Sequence, residues 1–220
     1  WFAAHPEAAS GQRWAPVGVV LSTRSRDVLH RPLVPPHVAP LLRSGVPVAL
    51  IRDEHVTPEA LKRFRVLTME TAGCLDEAAA GALAGWVRAG GTLVAAVDAG
   101  WWDALGRLRP RSALWQALGL KTAPERPVAV GRGSVVAPDA EEFAGAAGEQ
   151  ARPYALLEGP DPGVEAVTYE AAGRLFIHLV RHSTQAAEAR VRLPEPWRKA
   201  QSARLLAPGL PEARPLPVKG

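Results

Sequence analysis

The chain has 220 residues, 47% of them hydrophobic, with a net charge of +4 and a pI near 9.7. That suits one large domain, or an α/β domain with a smaller module, and it is enough apolar content for a packed core. No run approaches the ~20 apolar residues of a membrane span, and a single cysteine excludes both an intrachain disulfide framework and a multi-cysteine metal site.

The basic charge is nearly all arginine, with lysine only at 62, 121, 199 and 219. The arginines are scattered among Ala, Gly and Pro, and "RPRSALWQ" (109–116) is the nearest thing to a patch. A nucleic-acid surface clusters its basic residues with aromatics between them, so neither nucleic acid nor membrane is expected as a partner. Residues 1–14 lack the basic-then-apolar pattern of a signal peptide, and the cysteine usage fits a reducing compartment. The expected location is the cytoplasm. The only methionine is Met69, and "LPVKG" at the end reads as part of a β module. The expectation is therefore a piece of a longer polypeptide.

In chain order, residues 1–15 read as a short helix and linker. "PVGVVLST" (16–23) is a continuous apolar run, the signature of a buried strand. "VPPHVAPLLRSG" (34–45) has Pro early and Gly at its end, as helices do. "VPVALIRDE" (46–54) is a second strand. "TPEALKRF" (57–64) opens a helix with Thr57 as N-cap and Pro58 in the first position. "RVLTME" (65–70) is a third strand. "LDEAAAGALAGWVRAGG" (75–91) is a helix capped by Asp76 and stopped by Gly90-Gly91. Leu75, Leu83, Trp86 and Val87 form its apolar face. "TLVAAVD" (92–98) is a fourth strand, and "RSALWQALGL" (111–120) is a helix from Ser112 to Gly119. Residues 128–139 read as strand, turn, strand, and 140–150 as a weak helix. Beyond residue 151 the period becomes two: a hairpin over 163–183 around "AAGR", then strands at 188–194 and 202–209. The predicted fold is a doubly wound, mostly parallel α/β sheet of flavodoxin or class I glutamine-amidotransferase type (16–150). A small, truncated antiparallel β module (151–220) follows it.

The segment "GVPVALIRDEHVTPEALKRFRVLTMETAGCLDEAAAGALAGWVRAGGTLVA", preceded by "VGVVLSTRSRD", resembles the trimerisation domain of bacterial family 42 β-galactosidases, a middle domain with an amidotransferase-like fold. "PGVEAVTYEAAGRLFIHLVRHS" resembles the β-sandwich that follows it there, and "WFAAHPEAAS" resembles the linker leaving the catalytic barrel. The resemblance implies a catalytic barrel upstream, outside this chain, and self-association as a trimer. The two barrel glutamates of such enzymes match no position here, so no catalytic residue is carried over. "CLDE" lacks the extra residue, often Ser, that usually stands between the Leu and the Asp.

Five features invite a site. Cys74 stands between a strand and a helix, where a nucleophile sits in several α/β hydrolases. Its flanks lack the paired glycines of a nucleophile elbow, and Asp76 is expected to raise its pKa. The only His-x-Glu, at 5–7, precedes it. A Cys74-dependent amidotransferase-like hydrolase is the alternative to an accessory role. His178 and His182 lie on a strand, about 13 Å apart at ~3.3 Å per residue, too far to share an ion; no metal or cofactor is expected. Asp53, Glu54, Glu70, Asp98 and Asp103 fall where strands end, the edge at which open α/β sheets bind ligands. They are read as caps and arginine partners. Arg24 and Arg26 are placed in a loop before a helix, as domain contacts or an anion site. Trp101 and Trp102 are expected to point different ways, one able to pack in the core, with at least one of them partly exposed, packing at a domain interface or stacking on a sugar in a carbohydrate-binding module. The loops 24–27, 53–56 and 98–107 are the expected contacts with the barrel or a second subunit.

Overall fold

The computed structural model describes residues 6, 11–158, 164–181, 190–194, 197–205 and 213–217. Its centre is a mixed, mostly parallel six-stranded sheet. The strands are β2 (Val17–Leu21), β3 (Val48–Arg52), β4 (Val66–Met69), β5 (Thr92–Ala95), β6 (Val128–Val130) and β7 (Gly133–Val136). They lie in the order β3-β2-β4-β5-β7-β6. Five are parallel, and β6 closes the edge antiparallel to β7. The chain leaves β2 toward β3 on one side and returns to β4 on the other. The connections from β2 and β4 therefore diverge, which opens a crevice at the carboxyl edge.

Among the described residues six α-helices flank the sheet: α1 (Thr23–Leu29), α2 (Val38–Arg43), α3 (Pro58–Leu61), α4 (Glu77–Arg88), α5 (Ala113–Leu118) and α6 (Phe143–Ala151). Strand side chains alternate between the two faces, so each face has its own core. Leu67, Met69, Leu93 and Val135 pack with Leu83 and Val87 of α4 and Leu114 and Trp115 of α5. On the other face Val17, Val19, Val48 and Val66 meet Val38 and Leu41 of α2, while Val94 and Val136 meet Phe143 and Ala147 of α6.

The predicted caps are present. Thr57 accepts from the Ala60 N–H at 3.2 Å, Asp76 from Ala79 at 2.7 Å, and Ser112 from Trp115 at 3.3 Å. Gly119 ends α5 at φ 81°. Helix α4 carries Gly81 and Gly85 in its interior, where each costs about 1 kcal/mol relative to alanine. A Cβ at either position would meet no atom within 4 Å.

Three expectations need correction. Residues 23–29 are helical, so Arg24 and Arg26 lie on α1 and not in a loop. Ser22 supplies the cap, accepting from the Ser25 N–H at 3.0 Å. Asp53 and Glu54 leave the strand and form a single 3-10 turn, Asp53–His55. Gln12–Arg13, read as linker, form β1 and pair with β9 (Val164–Ala171). β9 in turn pairs antiparallel with β10 (Arg174–Arg181). The "AAGR" turn puts Ala172 and Gly173 at φ 48° and 70°, the two positive values that a tight hairpin turn uses. Short pairs β8 (Leu157–Glu158) with β11 (Arg190–Val191), and β12 (Ala203–Leu205) with β13 (Arg214–Leu216), complete the antiparallel part. His182, and residues 1–5 and 7–10 of the expected short helix and linker, lie outside the described residues. Among the described residues no helix is long and apolar enough to cross a membrane.

Candidate functional site

The crevice between the carboxyl ends of β2 and β4 is where a ligand would bind in such a sheet. The chain's own polar groups fill it. The Ser22 hydroxyl donates to Asp53 Oδ2 at 2.8 Å and lies 3.5 Å from the Cys74 carbonyl. It has one proton, and the shorter, charge-assisted bond takes it. Asp53 is buried, and its other oxygen accepts the Glu54 N–H at 3.0 Å. The Ser25 hydroxyl accepts the Cys74 N–H at 2.9 Å. Sequence pattern could not show this mesh, because its members come from three separate strand ends.

Cys74 is 0% exposed. Burial pushes its thiol up from the ordinary value, and the nearby Asp53 and Asp103 push the same way. Ser25 and Arg31 oppose them without prevailing. The expected upward direction holds, but the cause differs: Asp76 is occupied elsewhere. Arg24 Nη1 donates to it at 3.0 Å while it caps α4. Burial acts to raise the Asp76 carboxyl, yet the Ala79 N–H and Arg24 together hold it below the usual carboxylate range. A buried, protonated thiol is a poor nucleophile. Its alkylation by N-ethylmaleimide at pH 7.5 should be at least about tenfold slower in the native chain than in urea. Equal rates would mean that Cys74 is accessible and activated.

The other acids each have a partner. Glu54 pairs with Arg52 at 2.9 Å on the surface. Asp98 is gripped by both terminal nitrogens of Arg31. Asp103 staples its own loop, accepting from the N–H groups of Leu105 and Arg107 at 2.8 and 2.9 Å and from the Arg107 side chain at 2.7 Å. Arg26 is exposed and pairs with its neighbour Asp27, taking no part in the buried mesh. Among the described residues no group of three or more His, Cys, Asp or Glu side chains is placed to hold a metal. His178 lies edge-on to Tyr169 with centroids 5.3 Å apart.

Sequence reasoning missed His37. It is 0% exposed, with Nδ1 2.6 Å from Glu70 Oε2 and Nε2 2.7 Å from Thr68 Oγ1. The carboxylate–imidazole–hydroxyl order is that of a hydrolytic triad. Thr68 is itself fully buried inside β4, so no substrate reaches it, and the chain of bonds ties α2 to the sheet. Both ring nitrogens are satisfied by the neutral tautomer, Nδ1–H donating to Glu70 and Nε2 accepting from Thr68. Burial lowers the His37 pKa below its ordinary value, against the pull of Glu70.

At least one of Trp101 and Trp102 is expected to be partly exposed, and both are. Trp102 bridges Cys74 and Leu108 through backbone pairing, and the Arg31 guanidinium lies 5.6 Å from its ring centre. Around it the 98–110 loop leaves Leu105 72% and Leu108 67% exposed, and Val28 beside Gly106 is exposed too.

Neither protein-family models nor curated proteins match this chain. Solved structures do. The β-galactosidase of Bacillus circulans sp. alkalophilus aligns with TM-score 0.62 at 15% identity, over 80% of this chain and 37% of that one. The β-galactosidase of Rahnella sp. R3 aligns with TM-score 0.58 at 15% identity, over 76% and 36%. Gan42B, a GH42 β-galactosidase from G. stearothermophilus, aligns with TM-score 0.55 at 15% identity, over 72% and 33%. The likeness is one of fold. The chain spans a little over a third, or exactly a third within rounding, of each of these β-galactosidase chains.

Proposed function

We propose that this chain is a non-catalytic accessory region of a glycoside hydrolase related to the GH42 β-galactosidases. In this reading the sheet is doubly wound and amidotransferase-like, and a catalytic barrel lies elsewhere in the same cytoplasmic polypeptide. The region packs on that barrel and mediates self-association, with a trimer as the expected form. The observation that carries the reading is the state of the carboxyl edge. Its crevice is closed by Ser22, Ser25, Asp53 and the Cys74 backbone, and Asp53, Glu54, Glu70, Asp98 and Asp103 are each engaged. Next to it stands an apolar surface of Val28, Leu105 and Leu108, the kind of patch that marks a protein contact.

The Cys74 hydrolase is disfavoured by the raised thiol pKa and the buried site. The carbohydrate-binding reading needs an open tryptophan face, and Arg31 sits over that of Trp102. The test has two arms. The 220-residue chain alone should not turn over p-nitrophenyl β-galactoside or glutamine. In the polypeptide that carries the barrel, Leu105→Asp with Leu108→Asp should weaken association and lower galactosidase activity. Turnover by the chain alone, or a doubly substituted polypeptide with unchanged assembly and activity, would overturn the proposal.

A further inference from the structure

The arginines around the carboxyl edge divide into two groups. Four of them hold an acid: Arg24 holds Asp76, Arg26 holds Asp27, Arg31 holds Asp98 and Arg107 holds Asp103. The two of "RPRSALWQ" do not. Among the described residues Arg109 and Arg111 make no ion pair. Asp76 is near enough to feel Arg109, but its oxygens are already taken by Arg24 and the Ala79 N–H. Arg109 is part-exposed, and it is the one charged group among the described residues with a buried nitrogen, Nη1, that finds no acceptor. In the same loop stand the exposed Leu105 and Leu108. An aliphatic patch bordered by two unspent guanidinium groups fits a partner that is both apolar and acidic.

The chain carries that complement at the same edge. Residues 139–142, "DAEE", follow β7, the neighbour of β5 in the sheet. Asp139 closes their turn, accepting the N–H groups of Glu141 and Glu142 at 3.1 and 2.9 Å. The two glutamate side chains are left exposed and, among the described residues, without a cation. Ala140 and Ala144 beside them are exposed too, while Phe143 is buried against the sheet and fixes the segment. Within one copy the free acids and the free arginines do not meet.

We infer that Glu141 and Glu142 of one copy dock on Arg109 and Arg111 of the next, with Ala140 and Ala144 against Leu105 and Leu108. The inference deepens the self-association part of the function proposed above and rests on it. The two patches differ, so the contact is heterologous: each copy gives one patch and receives the other. A contact of this kind closes a ring when the rotation between copies allows it, and a three-membered ring requires one, because a two-fold contact stops at a pair. The leucines supply apolar area, and the arginine forks on carboxylates set the register.

Sedimentation equilibrium of the 220-residue chain from about 1 to 500 µM tests it. The wild type should associate as concentration rises. Arg109→Glu with Arg111→Glu should weaken association at least about tenfold, and Glu141→Arg with Glu142→Arg should do the same. All four changes in one chain leave the net charge at +4 and should restore it, so recovery there is not an effect of overall charge. Mixing the two double variants should also restore association, between unlike copies only. If Arg109→Glu fails to fold, Arg111→Glu alone, with and without Glu142→Arg, keeps the cycle readable. Association that ignores these charges, or that the four changes together do not recover, would overturn this contact and leave self-association standing. A wild-type chain still monomeric at about 500 µM would overturn both.

Discussion

Gly133→Ala should cost about 3 kcal/mol or more of stability, the upper end of what overpacking does. Gly133 is the first residue of β7, and it lies under the junction between α4 and β5. A Cβ there would fall inside van der Waals contact of the Val87 and Gly91 carbonyl oxygens and 3.0 Å from the Gly91 nitrogen. These are backbone atoms, and they are already committed. Gly91 O accepts the Ser134 N–H at 3.1 Å, and Val87 O accepts the Gly90 N–H at 2.9 Å. A side chain can swing away from an intruding methyl group, but this backbone cannot move without pulling α4 off Leu93 and Val135 in the core beneath. Gly148→Ala is the control. It sits in α6 with nothing within 4 Å of the added carbon, so it should be neutral or stabilising by up to about 1 kcal/mol. Urea midpoints with unchanged slope measure both. A Gly133→Ala midpoint equal to wild type would show that the β6–β7 hairpin does not pack under this junction.

The sequence announced the parts of this fold whose causes are local. Thr57-Pro58, Asp76 and Ser112 with Gly119 mark helix ends within a few residues of the bonds that satisfy them, and the apolar runs at 16–23 and 65–70 mark buried strands. Helix α1 escaped because "TRSRDVL" has no apolar period; its one local signal is the Ser22 cap. β1 escaped because its cause is Glu170 and Tyr169, more than 150 positions away. The site was legible to the same limit. Reading the acids as partners of arginines and as caps was sound in kind, yet which acid meets which arginine is a three-dimensional fact. Asp98 finds Arg31 and Asp76 finds Arg24 across 67 and 52 positions. His37 gave no signal at all. Its partners Thr68, on β4, and Glu70, just past its end, alternate with the apolar Leu67 and Met69, and only the packing of α2 brings them to the imidazole.

Protonation of that imidazole should be the largest pH effect above the carboxylate range. His37 has its pKa lowered by burial, so in the folded chain it stays neutral where the unfolded chain already binds a proton. Stability is then full above the ordinary histidine value of about 6.5. It falls as pH drops from there toward the lower folded value, with a limiting slope of about 1.4 kcal/mol per pH unit, and levels off below it. The groups facing the ring are Glu70 at Nδ1, Thr68 at Nε2 and Phe143, tilted 51° against it at 5.0 Å. A charged ring would keep Glu70, but its new Nε2–H would meet the Thr68 hydroxyl, which must then reverse and surrender its own donor bond inside the core. The acids Asp27, Asp76 and Asp103, whose pKa values are lowered, act in a separate window. What they contribute is present above about 3.9 and is lost only below it. His37→Gln should abolish the slope between pH 6.5 and 5, and should cost about 1–3 kcal/mol at pH 8 by leaving one of the two buried partners without its bond. Chemical denaturation of both proteins across pH 5–8 separates the two effects. A wild-type stability that stays flat from pH 8 to 5, or rises as the solution is acidified, would mean that Glu70 holds the ring as a cation and that α2 is tied to the sheet by an ion pair.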